Sequence, residues 1–213
     1  PIFKSSFSVG SILGATLASY CLGKVIDPKI LFFLLGLFLF LSTLSMYFFG
    51  LSKNHDYVEK SPSFSFPSKI IFLFALVNMM FFASIGIILN WSSLWFLNDL
   101  KGPIYLAGFI LLFFNIGEVT SNFMASKLIN FFNEKIVGPY FTMIGSVILI
   151  LSIFTQNVYV ILIGMIIFGS MSSNMQPIIF RQAIKFSKES IPKTISHISS
   201  IGFSGLIFGD RKR

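Results

Sequence analysis

The chain has 213 residues, of which 54% are hydrophobic and only 11% charged, and its formal net charge is +8. An ordinary soluble domain carries about 25% charged residues, so this composition excludes a soluble protein whose surface is covered by charge. The positive charge does not indicate nucleic-acid binding, because the basic residues lie at the ends of apolar runs, where cytoplasmic loops and anionic lipid headgroups favour them. The sequence therefore predicts a membrane protein.

Apolar runs of spanning length follow one another along the chain. A transmembrane helix needs about 20 mainly apolar residues, and six runs of this kind are predicted, at residues 5–26, 30–50, 70–97, 104–132, 136–154 and 158–180. A seventh run, at 195–208, follows a basic segment at 181–193 and is too short to cross. The predicted fold class is an all-α polytopic membrane protein with seven transmembrane segments, the last of them incomplete.

A long polar segment, residues 51–69, separates two of these spans from the other five and holds three lysines. The connections on its side of the membrane carry nine Lys and Arg residues, whereas the connections on the opposite side carry three. Under the positive-inside rule the basic side is cytoplasmic. We therefore expect a multi-pass protein of the plasma (inner) membrane, with residues 51–69 in the cytoplasm.

The fourth span carries a stripe of polar residues on one helical face, namely Asn115, Glu118, Asn122 and Ser126. Glu118 lies near the middle of the span, where an ionised carboxylate costs several kcal/mol unless it faces a partner or a water-filled cavity. A carboxyl group in this position is a candidate proton carrier. The alternative is a structural carboxyl, protonated and hydrogen-bonded to a neighbouring helix.

The sixth span has a second polar face, formed by Ser170, Ser173, Asn174 and Pro177, with Gln176 on an adjoining face. Pro177 cannot donate a backbone hydrogen bond and can kink the helix. We interpret this face as the wall of a substrate cavity, and the alternative is a kinked packing helix whose Asn is satisfied internally.

The third span contributes Asn78, which we expect to face the same cavity, and the tryptophans Trp91 and Trp95 near its outer end. Interfacial anchoring is the favoured role for the tryptophans, and stacking on a ligand is the alternative. His197 lies only one turn inside the seventh run, which favours a headgroup-level role over a proton relay.

Enzyme chemistry has no support in this sequence. Two distant histidines and one cysteine do not form a metal set of recognisable spacing, and no phosphate-binding glycine loop or dinucleotide fingerprint is present. We expect no catalytic residues, no cofactor, no metal and no nucleic-acid partner. A secondary transporter of a small solute, surrounded by lipid, remains the leading hypothesis because interrupted helices and polar groups near the midplane are its physical signs.

Four stretches of the chain resemble helices of the major facilitator superfamily (MFS), in particular its MosC-like (rhizopine-transporter-like) branch. SVGSILGA at 8–15 is similar to the fifth helix of that branch, and GIILNWSSL at 86–94 to the seventh. SNMQPIIF at 173–180 and GFSGLIFG at 202–209 resemble the tenth and eleventh. Some features of the family are missing. Ile85 and Asn90 stand where the seventh helix usually has acids, and residues 121–126 lack the charges of the gate motif.

The resemblance implies that the chain covers helices five to eleven of a twelve-helix transporter. Residues 1–50 would be the last two helices of the N-terminal half, residues 51–69 the cytoplasmic loop between the halves, and residues 70–213 the C-terminal half, truncated in its fifth helix. It also implies alternating access around a midplane site, with the missing N-terminal half as partner. The alternative is a truncated remnant that inserts in the membrane without transporting.

Overall fold

The computed structural model describes residues 27–49 and 66–208 continuously, and residues 9–10, 12–14, 16–17 and 20–21 of the first predicted span. The described residues are predominantly helical and contain no strand, so the all-α prediction is confirmed for them. Most of the predicted cytoplasmic loop, 51–65, and the last residues, 209–213, lie outside the described part. The helices are α1 Pro28–Phe49, α2 Lys69–Asn98, α3 Phe109–Phe132, α4 Phe141–Phe154, α5 Val158–Ser172, α6 Met175–Phe186 and α7 Ile191–Phe208.

Four helical segments of the described chain are long and apolar enough to cross a membrane: Lys69–Asn98, Phe109–Phe132, Ile136–Phe154 and Val158–Phe186. Within α1, a shorter apolar stretch covers Lys29–Ser45. These segments fit a multi-pass membrane helical protein. Seven transmembrane segments, in contrast, stay a prediction, because only four of the described segments meet the length and composition of a span.

The turn between α2 and α3 lies between the predicted spans 70–97 and 104–132, at residues 98–103, where Gly102 and Pro103 interrupt the helix. Lys101 has a positive φ of 50°, and a Cβ at Gly102 would overlap the ring of Phe96. The chain then makes a single 3-10 turn, Ile104–Leu106, before α3 begins at Phe109. Helix α3, which corresponds to the fourth predicted span, therefore begins later than residue 104, where that span was predicted to start.

The sixth predicted span is broken into two helices, α5 and α6, with Ser173 and Asn174 in a turn between them. The break places Pro177 in the first turn of α6, where the missing N–H would have no intrahelical acceptor. The helix continues to Phe186, six residues beyond the predicted end at 180. The segment 181–193 is thus not a loop, because α6 takes its first half and α7 begins at Ile191.

The contacts along α5 give its direction relative to its two neighbours. Gly169 meets Phe114 and Asn174 meets Ser121, so α3 and α5 run parallel. Gly145 of α4 lies against Met171, whereas Ser152 of α4 lies against Gly164, so α4 and α5 run antiparallel. Three consecutive segments that alternate in direction are what successive membrane crossings require.

Helices α2 and α7 form a second parallel pair. Asn78 contacts Ile198 and Gly202, while Gly86, further along α2, contacts Leu206, further along α7. Parallel α2 and α7 require an even number of reversals between them. This condition is met when α5 and α6 together make one crossing, and it would fail if each crossed separately. The direction of α7 therefore supports a single, interrupted sixth span.

The apolar packing falls into two buried clusters. One joins α2, α3 and α5 and includes Ile88, Phe96, Ile110, Phe114 and Phe168. The other joins α2, α6 and α7, with members Ile71, Ala75, Ile179, Ala183 and Ile198. Helix α2 contributes to both clusters and so connects them.

Candidate functional site: a polar seam at the interrupted helix

Seven polar side chains are buried where α3 packs against the junction of α5 and α6. We call this group the polar seam: Asn115, Glu118, Ser121 and Asn122 of α3, with Ser172, Ser173 and Asn174 of the junction. Each is 9% exposed or less. Such a group of buried polar residues in a bundle of apolar helices is costly unless its members are hydrogen-bonded, so the seam is the most distinctive chemical feature of the described chain.

Two glycines allow α3 and α5 to approach closely enough to form the seam. A Cβ at Gly117 would overlap the carbonyl oxygen of Ile166 and lie 2.8 Å from the backbone nitrogen of Ser170. A Cβ at Gly169 would overlap the carbonyl oxygen of Phe114. Small residues at helix crossings permit backbone-to-backbone contact in membranes. These two glycines therefore fix the distance between the helices that carry the seam.

One hydrogen bond connects the two sides of the seam directly. The side-chain nitrogen of Asn174, Nδ2, donates to Ser121 Oγ at 2.8 Å, and both residues are buried. Asn174 is the residue before α6, yet its side chain caps no N–H of that helix. The amide group of Asn174 thus ties the interrupted segment to α3 instead of completing the helix end.

Three atoms of the seam have no hydrogen-bond partner within the described part of the chain: Asn122 Nδ2, Ser172 Oγ and Asn174 Oδ1. Asn115, in contrast, donates from Nδ2 to the carbonyl oxygen of Leu111 in its own helix, at 2.8 Å. The seam therefore offers both donor and acceptor capacity that the described protein groups leave unused.

Glu118 lies on α3 one turn before Ser121 and Asn122, and its residue exposure is 9%. Glu118 is therefore buried within this chain.

The structure brings most of the predicted site residues together and separates a few from them. Asn115, Glu118, Asn122, Ser173 and Asn174 share the seam. Gln176 is half-buried beside it, whereas Ser126 and Pro177, predicted on the same faces, are exposed. Ser126 lies one turn beyond Asn122 on the uninterrupted helix α3, so the buried part of the stripe ends at Asn122. Pro177 follows the turn at Ser173 and Asn174.

Asn78 lies in a different interface, between α2 and α7. Its side chain is fully buried, donates from Nδ2 to the carbonyl oxygen of Ile198 at 3.3 Å, and packs against Gly202, where a Cβ would overlap it. In this structure Asn78 contacts a helix backbone. A role at the cavity stays a prediction for this residue.

The remaining polar residues singled out from the sequence lie at the ends of the helices. Trp91 is exposed and Trp95 half-buried near the end of α2. His197 Nε2 is 3.5 Å from Glu189 Oε2, in the first turns of α7 and the loop before it.

A charged cluster that the sequence reading missed holds the end of α6. Glu134, in the connection between α3 and α4, binds Arg181 at 2.8 Å, Lys185 at 3.3 Å and the side-chain amide of Gln182. Glu134 is the least exposed of the ionic groups, at 12%. The sequence does carry one signal for this cluster. Arg181 and Lys185 are four residues apart, which places them on one helical face, and Glu134 is the acid that they bind.

The turn beside Glu134 also packs on α6. Residues Ile136–Tyr140 form a π-helical turn that contains Pro139, and a Cβ at Gly138 would meet Ile178 at 3.3 Å. Helix α6 is therefore attached at both ends, by Asn174 and Ser121 at its start and by Glu134 near its end.

Comparison with known proteins gives one informative match. The chain is 25% identical over 211 residues to an uncharacterized MFS-type transporter of Yersinia pestis, and the match covers 97% of this chain and 54% of that protein. The chain thus spans about half the length of the curated relative it matches. No family model matches, and no solved structure matches. The MosC-like branch is not confirmed by this match. The chain is thus similar, over almost its whole length, to an MFS-type transporter, and its apolar helices fit a multi-pass membrane protein.

Proposed function

We propose that the protein moves a small solute across the plasma (inner) membrane as a secondary transporter that works by alternating access. The observation that carries the proposal is an interrupted membrane-spanning helix that packs a buried polar seam against α3. Interrupted helices with polar groups at membrane depth are typical of transporters. Similarity to an MFS-type transporter supports the same class.

In this proposal the described helices are the greater part of one half of the transporter. Residues 70–213 form the C-terminal half, residues 51–69 are the cytoplasmic connection, and residues 1–50 belong to the N-terminal half, most of which lies outside this chain. The solute would bind between the halves. The match to only 54% of the relative leaves room for such a second half.

The seam residues would act in two groups. Gln176, which is half-buried, would contact the solute. Hydrogen bonds would be supplied, as the helices move, by Asn78, Asn115, Asn122, Ser173 and Asn174. Glu118 would carry the coupling proton, because a carboxyl group can bind and release one without requiring a metal or cofactor. No arginine lies within the described spans near Glu118 to clamp a carboxylate or phosphate, so the residues of this half disfavour an anionic solute.

The test is uptake by the complete transporter in proteoliposomes. A panel of labelled neutral, cationic and anionic solutes is added outside, with and without an inward proton gradient. Uptake of at least one neutral or cationic solute above protein-free liposomes is expected. Absence of uptake for the whole panel by a folded, correctly inserted protein would contradict the transport proposal.

A further inference from the structure

The unpartnered atoms of the polar seam differ in their hydrogen-bonding character. Asn122 Nδ2 can only donate, Asn174 Oδ1 can only accept, and Ser172 Oγ can do either. The residues that carry them are at most 4% exposed. Buried groups of this kind almost always have partners, and three of them in one seam indicate a common cause. A ligand that satisfies all three has to be both donor and acceptor.

The bond between Asn174 and Ser121 leaves the other amide atom of Asn174 free. Nδ2 donates to Ser121 Oγ at 2.8 Å, so Oδ1 is directed away from that bond and is available to accept. A bare cation could not satisfy all three atoms, because Asn122 Nδ2 donates hydrogen bonds and does not bind cations.

We propose that the polar seam is a binding site for water, in which one or more water molecules bridge Asn122 of α3 to Ser172 and Asn174 of the interrupted segment. Buried water molecules typically make about three hydrogen bonds to protein groups that are otherwise unsatisfied. Such bridges would satisfy the buried side-chain atoms of the seam that the described protein groups leave without a partner.

The site has a consequence for Glu118, which rests on the proposed transport function. Glu118 is one turn from Ser121 and Asn122 on the same helix, so water in the seam lies beside its carboxyl group. Such water can donate a proton to Glu118 or accept one from it. The proton would then reach Glu118 through the interior of this half, without passing through the solute pathway between the halves.

The water site is tested by two matched serine substitutions in the complete chain, purified in detergent. Ser172 and Ser92 are both buried, and neither hydroxyl has a partner in the described chain. Ser92, however, lies one turn from Ile88 and from Phe96 of the apolar cluster. Ser92→Ala removes an unsatisfied hydroxyl and should leave the melting temperature unchanged or raise it. Ser172→Ala removes a partner of bound water and should lower the melting temperature by ~2–4 °C.

A double substitution tests whether the atoms share one bridge. Asn122→Leu and Ser172→Ala lie on different helices, and their atoms are not hydrogen-bonded to each other. If water joins them, the double variant should lose less stability than the sum of the single losses. Additive losses, or a Ser172→Ala variant as stable as Ser92→Ala, would overturn the water site whatever the protein transports.

The link to Glu118 has its own readout. In proteoliposomes, Ser172→Ala should reduce the ratio of uptake with and without an inward proton gradient, and Ser92→Ala should retain the parental ratio. If Ser172→Ala lowers the melting temperature but keeps that ratio, the water site stands and its role in proton supply is overturned. If the parent protein shows no gradient-dependent uptake, the coupling proposed for Glu118 fails and the stability result is unaffected.

Discussion

The side chain of Asn174 donates a hydrogen bond to Ser121 across the boundary between an interrupted helix and its parallel neighbour, at 2.8 Å. Asn174 occupies the N-cap position of α6, where Asn ordinarily accepts a hydrogen bond from the helix, yet here it makes none to that helix. The residue therefore has a tertiary role. It holds the start of α6 against α3 at the depth of the polar seam.

A double-mutant cycle should detect this bond. Ser121→Ala and Asn174→Ala are each expected to destabilise the protein, because each leaves a buried polar partner unsatisfied at a cost of about 1–3 kcal/mol. The double variant should lose less than the sum, with a coupling energy of about 0.5–1.5 kcal/mol. Thermal unfolding in detergent measures the three losses. Strict additivity would show that the two side chains do not interact in the folded protein.

Substitution of Gly169 should separate α3 from α5. A Cβ at this position would overlap the carbonyl oxygen of Phe114, and backbone atoms cannot move aside as a flexible side chain would. Gly169→Ala is therefore expected to destabilise the protein by about 1–3 kcal/mol, the usual cost of overpacking. The measurement is the melting temperature of the purified protein.

Gly36 provides the matched control for this change. It also lies within a helix, α1, but no atom of the described residues lies within 4 Å of a Cβ built there. Gly36→Ala should stabilise the helix by about 0.5–1 kcal/mol, because alanine loses less backbone entropy than glycine. If Gly169→Ala behaves like Gly36→Ala, the close contact between α3 and α5 is not present in the folded protein.

Glu134 should contribute more to the stability of the protein than either of its cationic partners. Its side chain is only 12% exposed and accepts from Arg181, Lys185 and Gln182, whereas the side chains of Arg181 and Lys185 are 55% and 57% exposed. Glu134→Ala is expected to cost about 1–3 kcal/mol of stability, since α6 loses its attachment. Lys185→Ala should cost less than about 1 kcal/mol, as exposed ion pairs do.

The control for the charge itself is Asp99→Asn, which neutralises an exposed acid at the end of α2. Thermal unfolding at low and at high salt separates the effect of exposed charge from that of the partly buried carboxylate of Glu134. Salt should weaken the effect of Lys185→Ala and change the effect of Glu134→Ala less, because partly buried charges are screened less. Equal losses for Glu134→Ala and Lys185→Ala would show that the cluster does not anchor α6.

The sequence predicted the helical class and most helix limits because long apolar runs and Gly-Pro breakers carry a strong local signal. The limits of α2 differ from the predicted 70–97 by one residue at each end. The burial of Glu118, Asn115 and Asn122 on one face of α3 also follows from helical periodicity. In such cases the information lies within one helix, and the sequence alone contains it.

Features that depend on two helices were not predictable in this way. Pro177, which follows the turn at Ser173 and Asn174, is exposed although regular spacing placed it on the polar face. Ser121 was overlooked because its importance arises from the distant Asn174. The attachment of Glu134 to Arg181 has the same origin, since 47 positions separate the two residues and only the tertiary fold brings them together.

The direction of each crossing can be tested by cysteine labelling in intact cells. Cys21 is replaced by Ser, which leaves the chain without cysteine, and a single cysteine is then introduced at Lys101 or at Lys188. The two positions lie in turns separated by three proposed crossings: α3, α4 and the interrupted α5–α6 segment. A membrane-impermeant thiol reagent should label Lys101→Cys from outside and Lys188→Cys only after permeabilisation.

Labelling of both positions from the same side would contradict the single interrupted crossing formed by α5 and α6. A variant with cysteine at Lys60 extends the test to the polar segment 51–69. It should behave like Lys188→Cys if that segment is cytoplasmic, as the excess of basic residues on its side indicates.

Glu118 is the residue at which coupling to protons should be visible. In the complete transporter, Glu118→Gln keeps the size and hydrogen-bonding capacity of the side chain but fixes it in a neutral form that cannot exchange a proton. We expect the variant to retain exchange of solute between the two sides of a proteoliposome membrane. It should lose acceleration by an inward proton gradient, because no other carboxyl group in the described spans is buried at that depth.

The matched control is Asn115→Asp, one turn earlier on the same buried stripe. This variant adds a carboxyl group while leaving Glu118 in place and should preserve some response to the gradient. If Glu118→Gln accumulates solute against its gradient as well as the parent does, Glu118 is a structural carboxyl and the coupling group lies outside the described helices.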